Sequence, residues 1–169
     1  MDAVRFHLVF NHAPIFWIGL GLLLFLFGLF RKNRSLIGAG LFSFILAGIA
    51  VIFVYLSGHN AEELVEHLPG ISEAYLEKHE EAAEVAFYTT LFLGISALIT
   101  FFLLFFRKVE DLIYKIFLGI TFVLSLASIG ALANAGSYGG KIRHTELISG
   151  QQGQMQMEEG EEHEEEEEH

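Results

Sequence analysis

Apolar positions in this chain do not alternate with polar ones at a helical or strand period; they gather into four long runs divided by short polar stretches. The runs are Ala13 to Phe30, Leu36 to Leu56, Val85 to Phe106 and Ile116 to Ala135, and none contains a charged residue. Each is close to the ~20 residues that an α-helix needs to cross a hydrocarbon layer. Backbone groups in lipid must be hydrogen-bonded within the protein, and runs of this length without barrel-strand alternation achieve that only as helices. The pattern predicts an all-α integral membrane four-helix bundle over residues 1–149.

The polar stretches set the expected orientation. Arg31, Lys32 and Arg34 follow the first run, and Arg107, Lys108 and Lys115 separate the third from the fourth, so by the positive-inside rule these connectors face the cytoplasm. Both termini and the Gly58 to Glu84 connector then face outward, on the periplasmic side of a bacterial inner membrane. That connector holds eight glutamates and one lysine (Lys78). Within it Pro69-Gly70 marks a turn, and Ser72 followed by Glu73 reads as a helix start, so helix three begins several turns above the membrane. Helix four is expected to run past the bilayer to Gly139-Gly140 or beyond. The arginine and lysine that close the first run, with no small-residue cleavage site, make it a true helix rather than a signal peptide.

Composition changes this picture in two places. The net charge of −11 comes largely from a tail, because nine of the 21 acidic residues lie between Glu158 and His169 and removing them leaves −2. Residues 150–169 carry almost nothing apolar and are expected to be disordered, a solvated tail in the simplest reading. There are no cysteines, so disulfides, thiolate metal sites and covalent c-type haem attachment are all excluded.

Candidate chemistry rests on histidine. The eight are His7, His12, His59, His67, His79, His144, His163 and His169, and none lies in a cytoplasmic connector or in the middle of an apolar run. Counting ~1.5 Å per residue from the basic ends puts His79 and His144 about 41 and 43 Å up, His7 and His59 about 35 Å and His12 about 27 Å, at or beyond the edge of a core about 30 Å thick. Below His79, the helical spacing selects Ala83, Ala86, Thr90, Gly94 and Ala97; below His144 it selects Gly140, Ser137, Ala133 and Gly130. Small stripes let helices approach closely, and they also leave room for a flat macrocycle under a histidine ligand. Haem iron takes a neutral imidazole on each axial face, and bundles build such sites from inward side chains. His7, His12, His59, His79 and His144 are therefore candidate axial ligands for one or two haem b groups. The competing reading is a divalent metal site in which His59, His67 or His79 joins Glu63, Glu66 or Glu80, although no HExxH spacing occurs.

The segment His7-Leu-Val-Phe-Asn-His12-Ala-Pro14, the histidine opening helix three at His79, and Gly139-Gly140-Lys-Ile-Arg-His144 together resemble a family of short bacterial four-helix predicted membrane proteins of unknown function. The resemblance covers residues 5 to 145. Two departures stand out: Leu8 replaces a proline that often follows the first histidine, and His59 has no usual counterpart. The resemblance implies a cytochrome-like protein that binds haem b and transfers electrons, since some relatives are fused to c-type haem domains. The expectation is an electron-transfer subunit rather than a stand-alone enzyme, in contact with membrane lipid, a quinol, a periplasmic electron carrier or a larger membrane complex, and with no nucleic-acid partner. The alternative is a non-redox metal-binding accessory or a structural subunit of a membrane complex. No nucleophile constellation, phosphate loop or intramembrane charge supports a hydrolase, an ATPase or a proton pump.

Overall fold

The structure, a computed structural model, describes residues 7, 9–65, 73–106 and 112–143. The described residues form four long helices, α1 (Ala13–Phe30), α2 (Arg34–Val65), α3 (Glu73–Phe106) and α4 (Leu112–Arg143). All four are long and apolar enough to cross a membrane. Their outward faces carry large apolar side chains such as Leu23, Phe30, Phe53, Phe102 and Val123. So much exposed apolar surface is costly in water and costless in lipid, which is consistent with a multi-pass membrane protein.

Local chemistry explains most of the helix ends. Pro14 sits in the first turn of α1, where its missing N–H removes no intrahelical bond. At the other end of α1, Lys32 N–H donates to the Leu29 carbonyl and Asn33 N–H to the Gly28 carbonyl. Lys32 takes φ 49°, so a lysine occupies the left-handed position that usually goes to glycine in this kind of helix end. Asn33 then opens α2, its Oδ1 accepting from the backbone N–H groups of Ser35 (3.0 Å) and Leu36 (3.2 Å). Arg34 donates to the Leu104 carbonyl in the last turn of α3, satisfying an acceptor that the helix itself leaves open.

The extent of α2 differs from expectation. The helix does not stop near Leu56 but continues through Gly58 and His59 to Val65. Residues 61–65, Ala-Glu-Glu-Leu-Val, mostly favour helix, and a single glycine costs a helix only about 1 kcal/mol. The predicted start of α3 agrees to a residue with Glu73, and α4 does run beyond Gly140. The Pro69-Gly70 turn, Ser72, Arg107, Lys108, and the acidic tail expected to be disordered lie outside the described residues.

Each helix packs against the next in sequence, and α1 touches α4 lightly, so α2 and α4 sit across the bundle from each other. Glycines bring α1 and α2 together: a Cβ on Gly21 would lie 2.7 Å from the Phe44 ring, and one on Gly40 would lie 2.7 Å from the Phe25 nitrogen. Along α2 and α3, Gly38 faces Leu104, Gly48 faces Gly94 and Tyr55 stacks on Phe87 at 4.4 Å, so the pair is antiparallel. At the Gly48–Gly94 crossing the two backbones meet directly, a Cβ on either glycine falling 2.9 Å from the Cα of the other. The α3–α4 seam is built from small and hydroxylated residues instead. There the Thr121 hydroxyl lies 2.8 Å from that of Ser96 and 2.9 Å from that of Thr100. Higher up the same seam Ala82, Ala86 and Ala135 pack together.

The α3 stripe is buried as expected, with Ala86, Thr90, Gly94 and Ala97 all facing inward and Ala83 half-buried. The α4 stripe is not. Gly130, Ala133, Ser137 and Gly140 are exposed, and the buried face of α4 runs instead through Thr121, Ser125, Ser128 and Ala135. An apolar helix in lipid has no hydrophobic side to reveal its rotation, and α4 carries two small-residue faces; interhelical hydroxyl bonding selects the second.

Candidate functional site: two pinned histidines at one end of the bundle

His7, in the segment preceding α1, and His79, near the start of α3, are each held in the same way by a helix other than their own. The His7 Nδ1 lies 3.1 Å from the Val54 carbonyl and 3.3 Å from the Ser57 hydroxyl, both on α2. His79 Nδ1 lies 2.8 Å from the Ala135 carbonyl on α4. A carbonyl can only accept, so each Nδ1 carries a proton and donates it, which leaves Nε2 as the nitrogen open to a ligand. That is the arrangement by which proteins orient a metal-ligating imidazole through its other nitrogen.

A glycine beneath each ring completes the likeness. A Cβ on Gly58 would fall 3.0 Å from His7 Cε1, and one on Gly139 would fall 3.2 Å from His79 Cε1. The absence of a side chain at these two positions lets each imidazole lie directly on the backbone of the supporting helix. The rings are thus fixed on α2 and α4, the two helices that face each other across the bundle. Burial pushes the His7 pKa below its ordinary value; the bond to Val54 opposes this, and the neighbouring His79 lowers it further. The depressed value favours the neutral form of His7, with its lone pair available.

The other candidates stand differently. His12 is exposed at the N-terminus of α1, where its side chain makes no capping bond, and His59 is exposed on α2. His67, His144, His163 and His169 lie outside the described residues. Among the described residues, no three or more histidines and carboxylates gather closely enough to hold a metal ion. Of the alternative metal set, Glu80 is exposed beside His79, while the side chains of Glu63 and Glu66 fall outside those described.

Around His79 two tyrosines and two lysines stand among the exposed glutamates of α3, Glu77, Glu80 and Glu81. Tyr75 lies one turn before it on α3, and Tyr138 directly precedes Gly139 on α4. The Lys141 Nζ sits 5.9 Å from the centre of the Tyr75 ring and 5.8 Å from that of Tyr138, while Lys78 Nζ approaches Tyr75 at 5.8 Å. Three buried polar atoms have no hydrogen-bond partner among the described residues: Asn11 Oδ1, in the segment between the first two histidines, and the hydroxyls of Thr90 and Ser128 within the α3–α4 pair.

Both histidines were among the five candidates in the sequence, whereas the groups that hold them were not singled out. Ser57, Gly58 and the Val54 and Ala135 carbonyls carry no individual signature. Gly139 was visible only as half of a Gly-Gly pair, and Lys141 as a charge at the end of a helix. One usable signal was the Tyr75–His79 spacing of four, which places both on one face of α3.

Fold and site together define a bundle of four membrane-length helices with a pair of oriented imidazoles at one end. Comparison with known protein families, with curated proteins and with solved structures finds no match.

Proposed function

We propose that this protein is a b-type cytochrome-like electron-transfer protein of a bacterial inner membrane, holding haem b near the periplasmic face with His7 and His79 as axial ligands. The observation that carries the reading is the matched pinning of two imidazoles, each with Nδ1 bonded to a carbonyl of a neighbouring helix and Nε2 left free. The fit to a haem goes beyond the donor set. The rings come from separate elements and are braced on opposite helices, and His79 meets α4 at Ala135, which packs with Ala82 and Ala86 in a seam of small residues. Imidazole nitrogen is a donor that suits haem iron, and among the described residues no group of three or more histidines and carboxylates gathers to favour a hard divalent cation instead. The bound haem would supply a one-electron ferric/ferrous couple.

The chain's own part is orientation and protonation. Val54 and Ala135 fix which nitrogen bears the proton, Gly58 and Gly139 fix where the rings lie, and burial holds His7 neutral at physiological pH. The basic turn at Arg31, Lys32 and Arg34 lies at the far end of the bundle from the histidines, and the positive-inside rule assigns that end to the cytoplasm. The site then opens toward the periplasm, where electrons pass between a quinol or membrane partner and a periplasmic carrier. His12, His59 and His144 remain available as ligands of a second haem.

The test is the dithionite-reduced absorption spectrum of the full chain purified from haem-replete cells, with haem content measured for single variants. A sharp reduced band is expected in the wild type, lost in His7→Ala and His79→Ala and kept in His59→Ala. A wild-type protein without haem, or full haem retention in both of the first two variants, would overturn the proposal.

A further inference from the structure

We infer that Lys141 anchors a carboxylate of the group bound beside His79, which on the haem reading above is a propionate. The ammonium is half-buried and held between two tyrosine rings, its Nζ 5.9 Å from Tyr75 and 5.8 Å from Tyr138. Ring faces stabilise a cation by about 0.5–1 kcal/mol at such sites, but they accept few of the three N–H bonds that an ammonium offers. The cage therefore fixes the position of the charge and leaves donors for an acidic ligand.

Position argues for the same partner. Lys141 lies six residues beyond Ala135, about 9 Å further along α4 at 1.5 Å per residue, in the direction leading away from the membrane interior. Tyr138 is adjacent to Gly139, on which the His79 ring rests, and Tyr75 is one turn from His79 itself. A lysine, two tyrosines and the pinned imidazole thus form one continuous patch, with the exposed Lys78, its Nζ 5.8 Å from the Tyr75 ring, as a second cation. Two carboxylates brought to the edge of an apolar bundle need nearby positive charge to offset desolvation, and among the described side chains Lys141 and Lys78 supply it on this patch, against the exposed Glu77, Glu80 and Glu81 of α3.

The inference rests on the haem reading, and the experiment separates the two. The full-length wild type, Lys141→Gln and Lys141→Arg are loaded in detergent with haem b or with haem b dimethyl ester, whose propionates are uncharged, and the rate of haem loss to an excess of a tight acceptor protein is measured. Losing one charge-assisted bond is expected to speed dissociation of free-acid haem from Lys141→Gln about tenfold, with the arginine variant near the wild type. The ester is expected to leave wild type and Lys141→Gln at equal rates. Equal acceleration of both haems would make Lys141 a brace for the helix pair, and acceleration of neither would deny it any part in holding the group; either result overturns the inference and leaves the haem reading intact. Failure of the wild type to take up either haem overturns both.

Discussion

Gly139 and Gly140 are adjacent on α4, yet alanine at the two positions has opposite expected consequences. A Cβ at Gly140 meets nothing within 4 Å, whereas one at Gly139 would lie 3.2 Å from His79 Cε1 and 3.3 Å from its Nδ1. Carbon atoms in ordinary contact are separated by about 3.5–4.0 Å, so the ring has to retreat by roughly 0.3–0.8 Å. The bond from Nδ1 to the Ala135 carbonyl is 2.8 Å long, with little slack. Stretched by that amount it reaches about 3.1–3.6 Å, at or past the limit for a good N–H···O bond, and most of its ~0.5–1.5 kcal/mol is lost. Both substitutions gain the helix preference of alanine over glycine, up to about 1 kcal/mol. Gly140→Ala should therefore match or exceed the wild type in stability, while Gly139→Ala should fall below Gly140→Ala by about 0.5–1.5 kcal/mol. The assay is equilibrium unfolding in detergent micelles followed by the fluorescence of Trp17, the single tryptophan. On the proposed function, haem content should fall in Gly139→Ala alone. Equal stability and equal haem content in the two variants would falsify the contact between His79 and α4.

Other expectations follow from the same contacts. Gly48→Ala places a Cβ 2.9 Å from the Gly94 Cα and should cost about 1–3 kcal/mol in the same unfolding assay, while Gly19→Ala, with nothing within 4 Å, should be neutral or stabilising. Lys32→Gly relieves a left-handed lysine (φ 49°) and should raise stability by about 1 kcal/mol; a loss would mean that this helix end is closed differently. Asn33→Ala removes an acceptor shared by two backbone N–H groups and should cost about 0.5–2 kcal/mol, read from the same melts. The haem-free protein should lose stability as pH falls below about 6.5, because the unfolded His7 takes up its proton before the folded one does; the contribution is complete above 6.5 and is lost as pH drops through the lowered folded value. Melting temperatures at pH 8, 6.5 and 5 should show a shallower dependence in His7→Gln, and an unchanged slope would remove His7 as its source.

Length, hydropathy and punctuation alone were enough to read four helices from this chain, because a bilayer demands ~20 apolar residues per crossing and tolerates no unsatisfied backbone. Ser72 followed by Glu73 marked the start of α3 through purely local chemistry, and the small stripe from Ala86 to Ala97 was legible because it recurs at helical spacing below His79. The rotation of α4 was not legible in this way. Lipid is as apolar as the interior, so burial leaves no periodic trace, and the choice between its two small faces came from the hydroxyl bonds of Ser96 and Thr100 with Thr121. Nor could the sequence single out His7 and His79 from the four histidines among the described residues. That selection depends on where the carbonyls of Val54 and Ala135 and the bare backbones of Gly58 and Gly139 arrive in space, and those groups become distinctive only when one helix is laid against another.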